Sequence, residues 1–327
     1  MSKHSIVCAG IDTSKDKLDV AVTSVCTQLQ VKNTAAGHAK LSTWLRKHEV
    51  ERVGIEATGG YEQAVVTHLR RDGFVVIVLQ PAQVHAYRRF RLQWAKNDKI
   101  DAALIAAVTA AMKTVRPPPD PRLQPFAADL TVIEQITEDI ARLKTRRAAG
   151  SCDARSRAFW KQEIARLKGI ERKLLKELEA AIRAHDDLAR LLDLIRSVDG
   201  VGLRTALIIL IRMPEIGRLT RNVAAALVGV APYDSDSGNH VGQRHIAGGR
   251  HRLRRALYAA ALPAAFRWNA QLVAFYRRLT AAGKTHKEAL VACARKLIIY
   301  VNTVVARGTP WRVHEVSNQP SLHPNAT

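Results

Sequence analysis

The sequence predicts an α/β domain, a mixed sheet with helices on its faces, followed by a mainly α region. Three observations carry that prediction. Apolar residues before position 120 switch between strand and helix periods in the order β-β-β-α-β-α-β-α. A stiff run, Pro117-Pro118-Pro119-Asp120-Pro121, then stops both helix and strand. Beyond it, apolar residues recur at steps of three and four, as one face of a helix requires.

Each element rests on its own residues. Ser5–Ile11 is β-branched and apolar, Leu18–Thr23 alternates, and Gln28–Lys32 repeats that alternation. Ala36–His48 reads as a helix, Arg52–Glu56 as a short buried strand, Tyr61–Arg71 as a helix and Phe74–Leu79 as an unbroken apolar strand. Pro81 opens another helical stretch. Ile133, Ile136, Ile140 and Leu143 form a short heptad seam, and after Gly150-Ser151 a second long helix carries Leu167, Ile170, Leu174, Leu178 and Ile182. The pair predicts a helical hairpin or coiled coil that dimerises, spaces the domains or packs on its own domain. From Leu191 the chain is helical with Gly-rich breaks, and it ends in a polar, Pro-containing stretch expected to be disordered. The expected divisions are 1–120, 121–190, 191–312 and a tail, 313–327.

The chain has 327 residues, with 51 Lys+Arg against 29 Asp+Glu and a net charge of +22. Hydrophobic content of 47%, with 18 Gly and 12 Pro, excludes a wholly disordered or collagen-like chain. The charge calls for a polyanion, nucleic acid before a membrane surface, because no basic amphipathic segment has a clear apolar opposite face. It divides unevenly: 18 basic and 11 acidic groups in 1–125 (+7), 14 and 11 in 126–190 (+3), 19 and 7 in 191–327 (+12). No apolar run approaches a spanning helix, the longest being Leu207–Ile211, and the first residues lack the pattern of a secretory leader. Cys8, Cys26, Cys152 and Cys293 form no CxxC or zinc spacing and read as reduced thiols of a cytoplasmic protein.

Four carboxylates in the first segment stand where they can converge. Asp12 follows a strand and precedes Thr13-Ser14-Lys15, and Glu56 ends a strand before Ala57-Thr58-Gly59-Gly60. Asp98 and Asp101 open a helix at i, i+3, with Cβ atoms about 5–6 Å apart on one face. Singly, Asp12 reads as capping a turn, Asp98 as capping the helix, and Glu56 as pairing with a lysine. Together they suit Mg²⁺, which takes oxygen ligands at about 2.0–2.1 Å, and a pair of such ions about 3.5–4 Å apart can clamp a phosphodiester. Lys15, Lys17, Arg88, Arg89, Arg91, Lys96 and Lys99 lie where a nucleic-acid backbone would run.

Gly-Ile-Asp12-Thr-Ser-Lys, Ile-Glu56-Ala-Thr-Gly and Asn-Asp98-Lys-Ile-Asp101-Ala resemble the motifs of a family of insertion-sequence transposases. That family pairs a four-carboxylate, Holliday-junction-resolvase-like N-terminal domain with a C-terminal transposase domain bearing an essential serine. The resemblance runs from about Ile6 to Trp311 with both halves in order. It implies a ribonuclease H-like first domain with Asp12, Glu56, Asp98 and Asp101 as metal ligands for Mg²⁺, two ions or Mn²⁺ as a substitute. It further implies donor and target DNA as substrates, a non-coding bridge RNA as guide, a dimer or tetramer, and a prokaryotic, nucleoid-associated location.

In the second half, Val198-Asp199-Gly200-Val201-Gly202-Leu203-Arg204 resembles a helix-hairpin-helix turn, whose glycines and following helix N-terminus grip a phosphate without reading sequence. A plain helix–helix turn is the alternative. The loop Gly229–Gly238 is polar and lies between apolar helices; Ser237, which precedes a glycine, matches the family's serine, and Ser235 is the alternative. On spacing alone either is a turn serine. Next, His240, Arg244, His245, Arg250, His251, Arg252, Arg254 and Arg255 crowd together, and no Asp or Glu stands between Asp236 and Glu288. Such an unopposed run should contact phosphates. Tyr258, Phe266, Trp268, Phe275 and Tyr276 fall at mostly helical spacing and read as core, as does Leu290–Val305. Three functions remain open: a serine-assisted, metal-dependent recombinase, a resolvase-like endonuclease using metal-activated water, and a non-catalytic nucleic-acid-binding protein.

Overall fold

A computed structural model describes residues 6–23, 27–92, 98–113, 115, 118–150, 153–234, 242 and 244–312, with only the backbone of 98 and 99. Two compact units divide at the proline run, Met1–Pro118 and Pro119–Thr327.

The first unit is built on a five-stranded mixed sheet. Its strands are β1 (Cys8–Thr13), β2 (Lys17–Val22), β3 (Gln28–Lys32), β4 (Arg52–Glu56) and β5 (Val75–Leu79). Its helices are α1 (Ala35–Lys47), α2 (Gln63–Arg71), α3 (Pro81–Phe90) and α4 (Asp98–Ala111). Strand order is β3-β2-β1-β4-β5; β1, β2 and β3 pair antiparallel, and β1–β4 and β4–β5 pair parallel. This is the mixed sheet with flanking helices expected from the sequence.

Side chains alternate between the two faces of each strand. Ile11, Val20 and Ile55 point one way into a core closed by Leu41, Leu45 and Leu69 of α1 and α2. On the other face Ile77 and Leu79 meet Val84 of α3 and Leu104, Ile105 and Val108 of α4. Local chemistry sets the helix starts. Thr34 caps α1 by accepting the Gly37 N–H, and Gln80 with Gln83 caps α3 reciprocally ahead of Pro81. The first strand begins and ends later than the apolar pattern predicted, so Asp12 lies inside β1 rather than beyond it, paired in register with Asp19.

The second unit is helical: α5 (Leu123–Ala148), α6 (Ala154–Arg183), α7 (Asp186–Arg196), α8 (Leu203–Arg212), α9 (Arg221–Val228), α10 (His251–Pro263), α11 (Ala270–Ala281) and α12 (His286–Arg307). Two short strands, β6 (Pro232–Tyr233) and β7 (His245–Ile246), pair antiparallel, and a π-helical turn, Ala264–Trp268, joins α10 to α11. Asp153 caps α6 by accepting the Ser156 N–H at 2.6 Å. The α5–α6 hairpin expected over 121–190 shares a core with the helices that follow it. Phe126, Leu130, Ile133, Leu178 and Ile182 join Leu207, Leu257, Leu297 and Val301, whereas Ile140, Leu143 and Ile164 form a separate small cluster farther along. The expected tail, 313–327, lies outside the described residues.

One expectation about apolar runs is corrected. Helix α12 is long and apolar enough to cross a membrane by length and composition. It is instead the core helix of this unit, with Leu290, Cys293, Leu297, Ile298 and Val301 all buried. Burial pushes the Cys293 thiol up to about 11, as an apolar surrounding does to a group that ionises to an anion.

Candidate functional site

Strands β1 and β4 run parallel with Gly10 beside Gly54 and Ile11 beside Ile55. The next residues, Asp12 just inside the end of β1 and Glu56 last in β4, therefore stand side by side, half-buried, on the face of Gly10 and Gly54. Helix α4 packs on that face. A Cβ on Gly10 would fall 2.8 Å from the Ile105 carbonyl carbon and still nearer to backbone atoms of Ala102 and Ala106. One on Gly54 would meet the Thr109 side chain. The two glycines thus let α4 approach the sheet next to the carboxylates.

Asp101 on α4 is buried, and its carboxylate takes the guanidinium of Arg88 from α3. Asp98 opens α4; its side chain and that of Lys99 lie outside the described residues. Among the described residues no group of three or more His, Cys, Asp or Glu side chains is placed to hold a metal. The donors at Asp12, Glu56 and Asp101 are all carboxylate oxygens, the hard anionic set a divalent cation such as Mg²⁺ prefers to imidazole or thiolate.

Two further acidic residues support this edge. Asp19, the cross-strand partner of Asp12, is buried; Gln30 Nε2 donates to it at 2.7 Å, and Lys17 Nζ lies 3.2 Å away. Glu62 holds the loop after Glu56: its Oε2 accepts the N–H groups of Thr58 at 3.1 Å and Gly60 at 2.9 Å and the Thr58 hydroxyl at 3.2 Å. Burial pushes the Glu62 carboxyl up, but these hydrogen bonds outweigh it and hold the group below the usual carboxylate range. Gly59 and Gly60 have φ of 77° and 119°, which the tight turn over Glu62 requires. Lys15 is exposed at the β1–β2 turn.

In the second unit the α7–α8 turn has Gly200 at φ 95°, where a Cβ would collide with Ala264, and Gly202 as the N-cap of α8. Beside it lies a groove of about 470 Å³ lined by Gly200, Gly202, Arg204, Thr205, Arg252 and Arg255, with Glu134 and Glu138 on its α5 side. The N–H groups opening α8 and three guanidinium groups thus border one cavity.

The basic run is not unopposed, and this corrects the expectation drawn from its local composition. Arg252 and Arg212 share buried Glu134; Arg255 meets Glu138 at 2.7 Å, Arg204 meets Glu171 at 3.1 Å, and Arg244 meets Asp234 at 2.6 Å. Arg250 grips Glu215 with two nitrogens, at 2.9 and 2.6 Å, and donates to the Arg212 carbonyl at 2.8 Å. Arg254 donates to the carbonyls of Gly248 at 2.8 Å and Gly229 at 3.3 Å. Arg250 and Arg254 therefore tie the start of α10 to the end of α9, whereas Arg255 keeps 62% of its side chain exposed. The acids Glu134, Glu138, Glu171 and Glu215 were not singled out by sequence reading; they come from α5, α6 and the α8–α9 connection. Ser235, Ser237 and His240 lie outside the described residues. The described residues on either side of them pair as β6 and β7, with Tyr233 opposite His245.

The aromatic expectation is corrected in part. Tyr258, Phe275 and Tyr276 pack against the core, but Phe266 and Trp268 are 53% and 59% exposed.

Comparison with known proteins gives the class to which this mixed sheet and arginine-rich helical unit belong. Residues 9–149 match a family model described as a transposase, and residues 192–277 match the transposase IS116/IS110/IS902 family. The chain belongs to the IS110 family of transposases, DNA recombinases by class. A pilin gene-inverting protein of Moraxella bovis is 25% identical over 333 residues, covering 96% of this chain and 100% of that protein. Its namesake in Moraxella lacunata is likewise 25% identical, over 334 residues, with the same coverage. An uncharacterized 43.6 kDa protein of insertion element IS110 from Streptomyces coelicolor is 32% identical over 136 residues, 41% of this chain and 33% of that protein. Among solved structures, RuvC of Thermus thermophilus aligns with 34% of this chain and 83% of its own, at 22% identity and a TM-score of 0.24.

Proposed function

We propose that this transposase cuts and rejoins DNA strands through a serine-linked intermediate, with divalent metal held by Asp12, Glu56, Asp98 and Asp101. The observation that supports this reading best is the placement of Asp12 and Glu56 side by side at the ends of β1 and β4, on the face covered by α4, which bears positions 98 and 101. Mg²⁺, one ion or two, with Mn²⁺ as a substitute, is the cation this oxygen-only set suits. When bound, it supplies stabilisation of negative charge on the reacting phosphate and on the departing oxygen. Arg88 fixes the direction of the Asp101 carboxylate.

Ser237, with Ser235 as the alternative, is the nucleophile. Its hydroxyl oxygen forms a bond to phosphorus while the bond from phosphorus to one sugar oxygen breaks. The hydroxyl proton is released, and the departing sugar oxygen takes up a proton. Attack by a sugar hydroxyl of the recipient strand reverses these changes, so phosphodiester bonds are conserved and no external energy source is consumed. The groove bordered by Gly200, Gly202, Arg204, Arg252 and Arg255 positions a nucleic-acid backbone, and Lys15 and Lys99 in the first unit and Arg244 in the second are further contacts to phosphate. The name of the two full-length relatives describes inversion of a gene, an operation that needs cut strands to be rejoined. A non-coding guide RNA selects donor and target by base pairing, a homo-oligomer in which the α5–α6 hairpin pairs protomers carries out the exchange, and the site of action is the prokaryotic nucleoid in the cytoplasm.

The test uses the chain co-expressed with its own flanking DNA, with protein–DNA adducts resolved on denaturing gels. Ser237→Ala should abolish both adduct and joined product, and Ser235→Ala should leave them. Cleavage that continues without an adduct in Ser237→Ala would instead assign a resolvase-like, water-using endonuclease.

A further inference from the structure

Strand cutting leaves one exposed feature of the second unit unused. Helix α10 ends at Pro263, and the chain continues through the π-helical turn 264–268 before Asn269 caps α11 at the Leu272 N–H. Short π-helical segments are uncommon and concentrate at functional positions. This one is firmly anchored: Ala264 and Ala265 are buried, Ala264 packs on Gly200, and Asn269 donates to the Asp199 carbonyl at 3.1 Å. The turn is thereby seated on the α7–α8 turn that borders the arginine groove.

Its two large side chains nevertheless face water. The Phe266 ring is held 4.9 Å from Tyr276 and 6.1 Å from His286, and Tyr276 Oη lies 2.8 Å from His286 Nδ1. The Arg267 guanidinium stands 5.0 Å from the Trp268 ring centre. Both rings are therefore presented on a fixed backbone and steadied at their edges. The surrounding charge is mostly positive: Arg267, Arg277, Arg278, Lys284 and Lys287 are exposed, and the acids beside them are Glu288, which caps α12 with Thr285, and Asp199, whose carbonyl Asn269 holds. An apolar protein surface docking here would bury five cations against only two acids, which is costly. Unpaired nucleotides fit both halves of the feature, a π-face for each ring and a phosphate for the cations.

We infer that Phe266 and Trp268 are stacking surfaces for unpaired bases of a single-stranded nucleic acid, whose phosphates meet the arginines and lysines around the π turn. This rests on the reading of the chain as an enzyme that handles nucleic acid. The test measures binding of the full chain, at fixed salt, to three probes: labelled oligothymidylate, a duplex of equal length and an abasic strand of equal length. Phe266→Ala with Trp268→Ala should weaken oligothymidylate binding about tenfold or more, and change duplex and abasic binding by less than about twofold. Phe266→Tyr with Trp268→Phe, which keeps both π-faces, should bind oligothymidylate within about threefold of the wild type. Unchanged oligothymidylate affinity in the alanine variant would overturn the inference, as would an equal loss on all three probes. So would a changed sedimentation coefficient, which would make the patch a contact between copies of the chain. A wild-type chain that binds none of the probes would overturn the nucleic-acid reading itself, whereas binding that ignores the two rings would overturn the stacking alone.

Discussion

Gly10→Ala adds one methyl group to β1 where α4 crosses it. The new carbon would lie 2.8 Å from the Ile105 carbonyl carbon and closer still to the Ala102 oxygen and Ala106 nitrogen. These are backbone atoms, so no side-chain rotation relieves the overlap, and α4 must retreat by about 1 Å to regain van der Waals separation. Overpacking of this kind costs about 1–3 kcal/mol, which for a domain of this size lowers the melting temperature by about 4–15 °C. Catalysis should suffer more, because the retreat carries Asp101 and position 98 away from Asp12 and Glu56. A misplacement of about 1 Å typically costs about a hundredfold in rate. Calorimetry of the first unit's transition and strand exchange with the chain's own flanking DNA measure the two effects. Gly169→Ala is the control: it lies in α6 with open space around its Cβ position, so neither quantity should fall. A Gly10→Ala protein that melts with the wild type and exchanges strands at more than half its rate would refute the claim that close packing of α4 assembles the site.

Two further predictions concern stability. Glu62 has its folded pKa held below the usual 4.5, so its contribution is present above that value and is lost as pH falls through the folded pKa. Acidification below about pH 4.5 should therefore lower the urea midpoint of the wild type more steeply than that of Glu62→Gln, and parallel curves would contradict the role given to this carboxylate. Glu134→Ala leaves Arg212 and Arg252 facing one another without a counter-charge. Because the Arg252 side chain is 36% exposed, the cost should be about 2–4 kcal/mol, below that of a fully buried pair. An unchanged urea midpoint in the second unit's transition would show that the triad does not hold α5 against α8 and α10.

Local pattern made much of the fold legible. Gln28–Lys32 and Arg52–Glu56 are strands over the whole span that alternation or apolar content marked, and Pro81 opens its helix. The first strand is expected too early because its apolar run ends at Ile11, whereas the β1–β2 ladder runs on through Asp12 and Asp19; Lys17 counters the Asp19 charge and Gln30 hydrogen-bonds it. The carboxylate pair was legible because Asp12 and Glu56 each follow a short apolar run, and parallel register sets such ends together. The arginine run was misjudged for a different reason. Its partners stand far away in sequence, Glu134 being 118 residues from Arg252, so no local count could include them. Helical spacing places Phe266 and Trp268 in the core, and the π turn after Pro263 breaks that spacing and turns both rings to solvent.

The measurement closest to the central claim is metal-dependent strand joining by carboxylate variants of the chain, prepared after co-expression with its flanking DNA. Asp12→Asn and Glu56→Gln remove the anionic ligands with little change in shape. Both should lower adduct and joined product at least a hundredfold in Mg²⁺, chelation should do the same to the wild type, and DNA binding should stay within a few-fold of normal. Undiminished joining in either variant, or in the chelated wild type, would contradict the assignment of Asp12 and Glu56 as metal ligands.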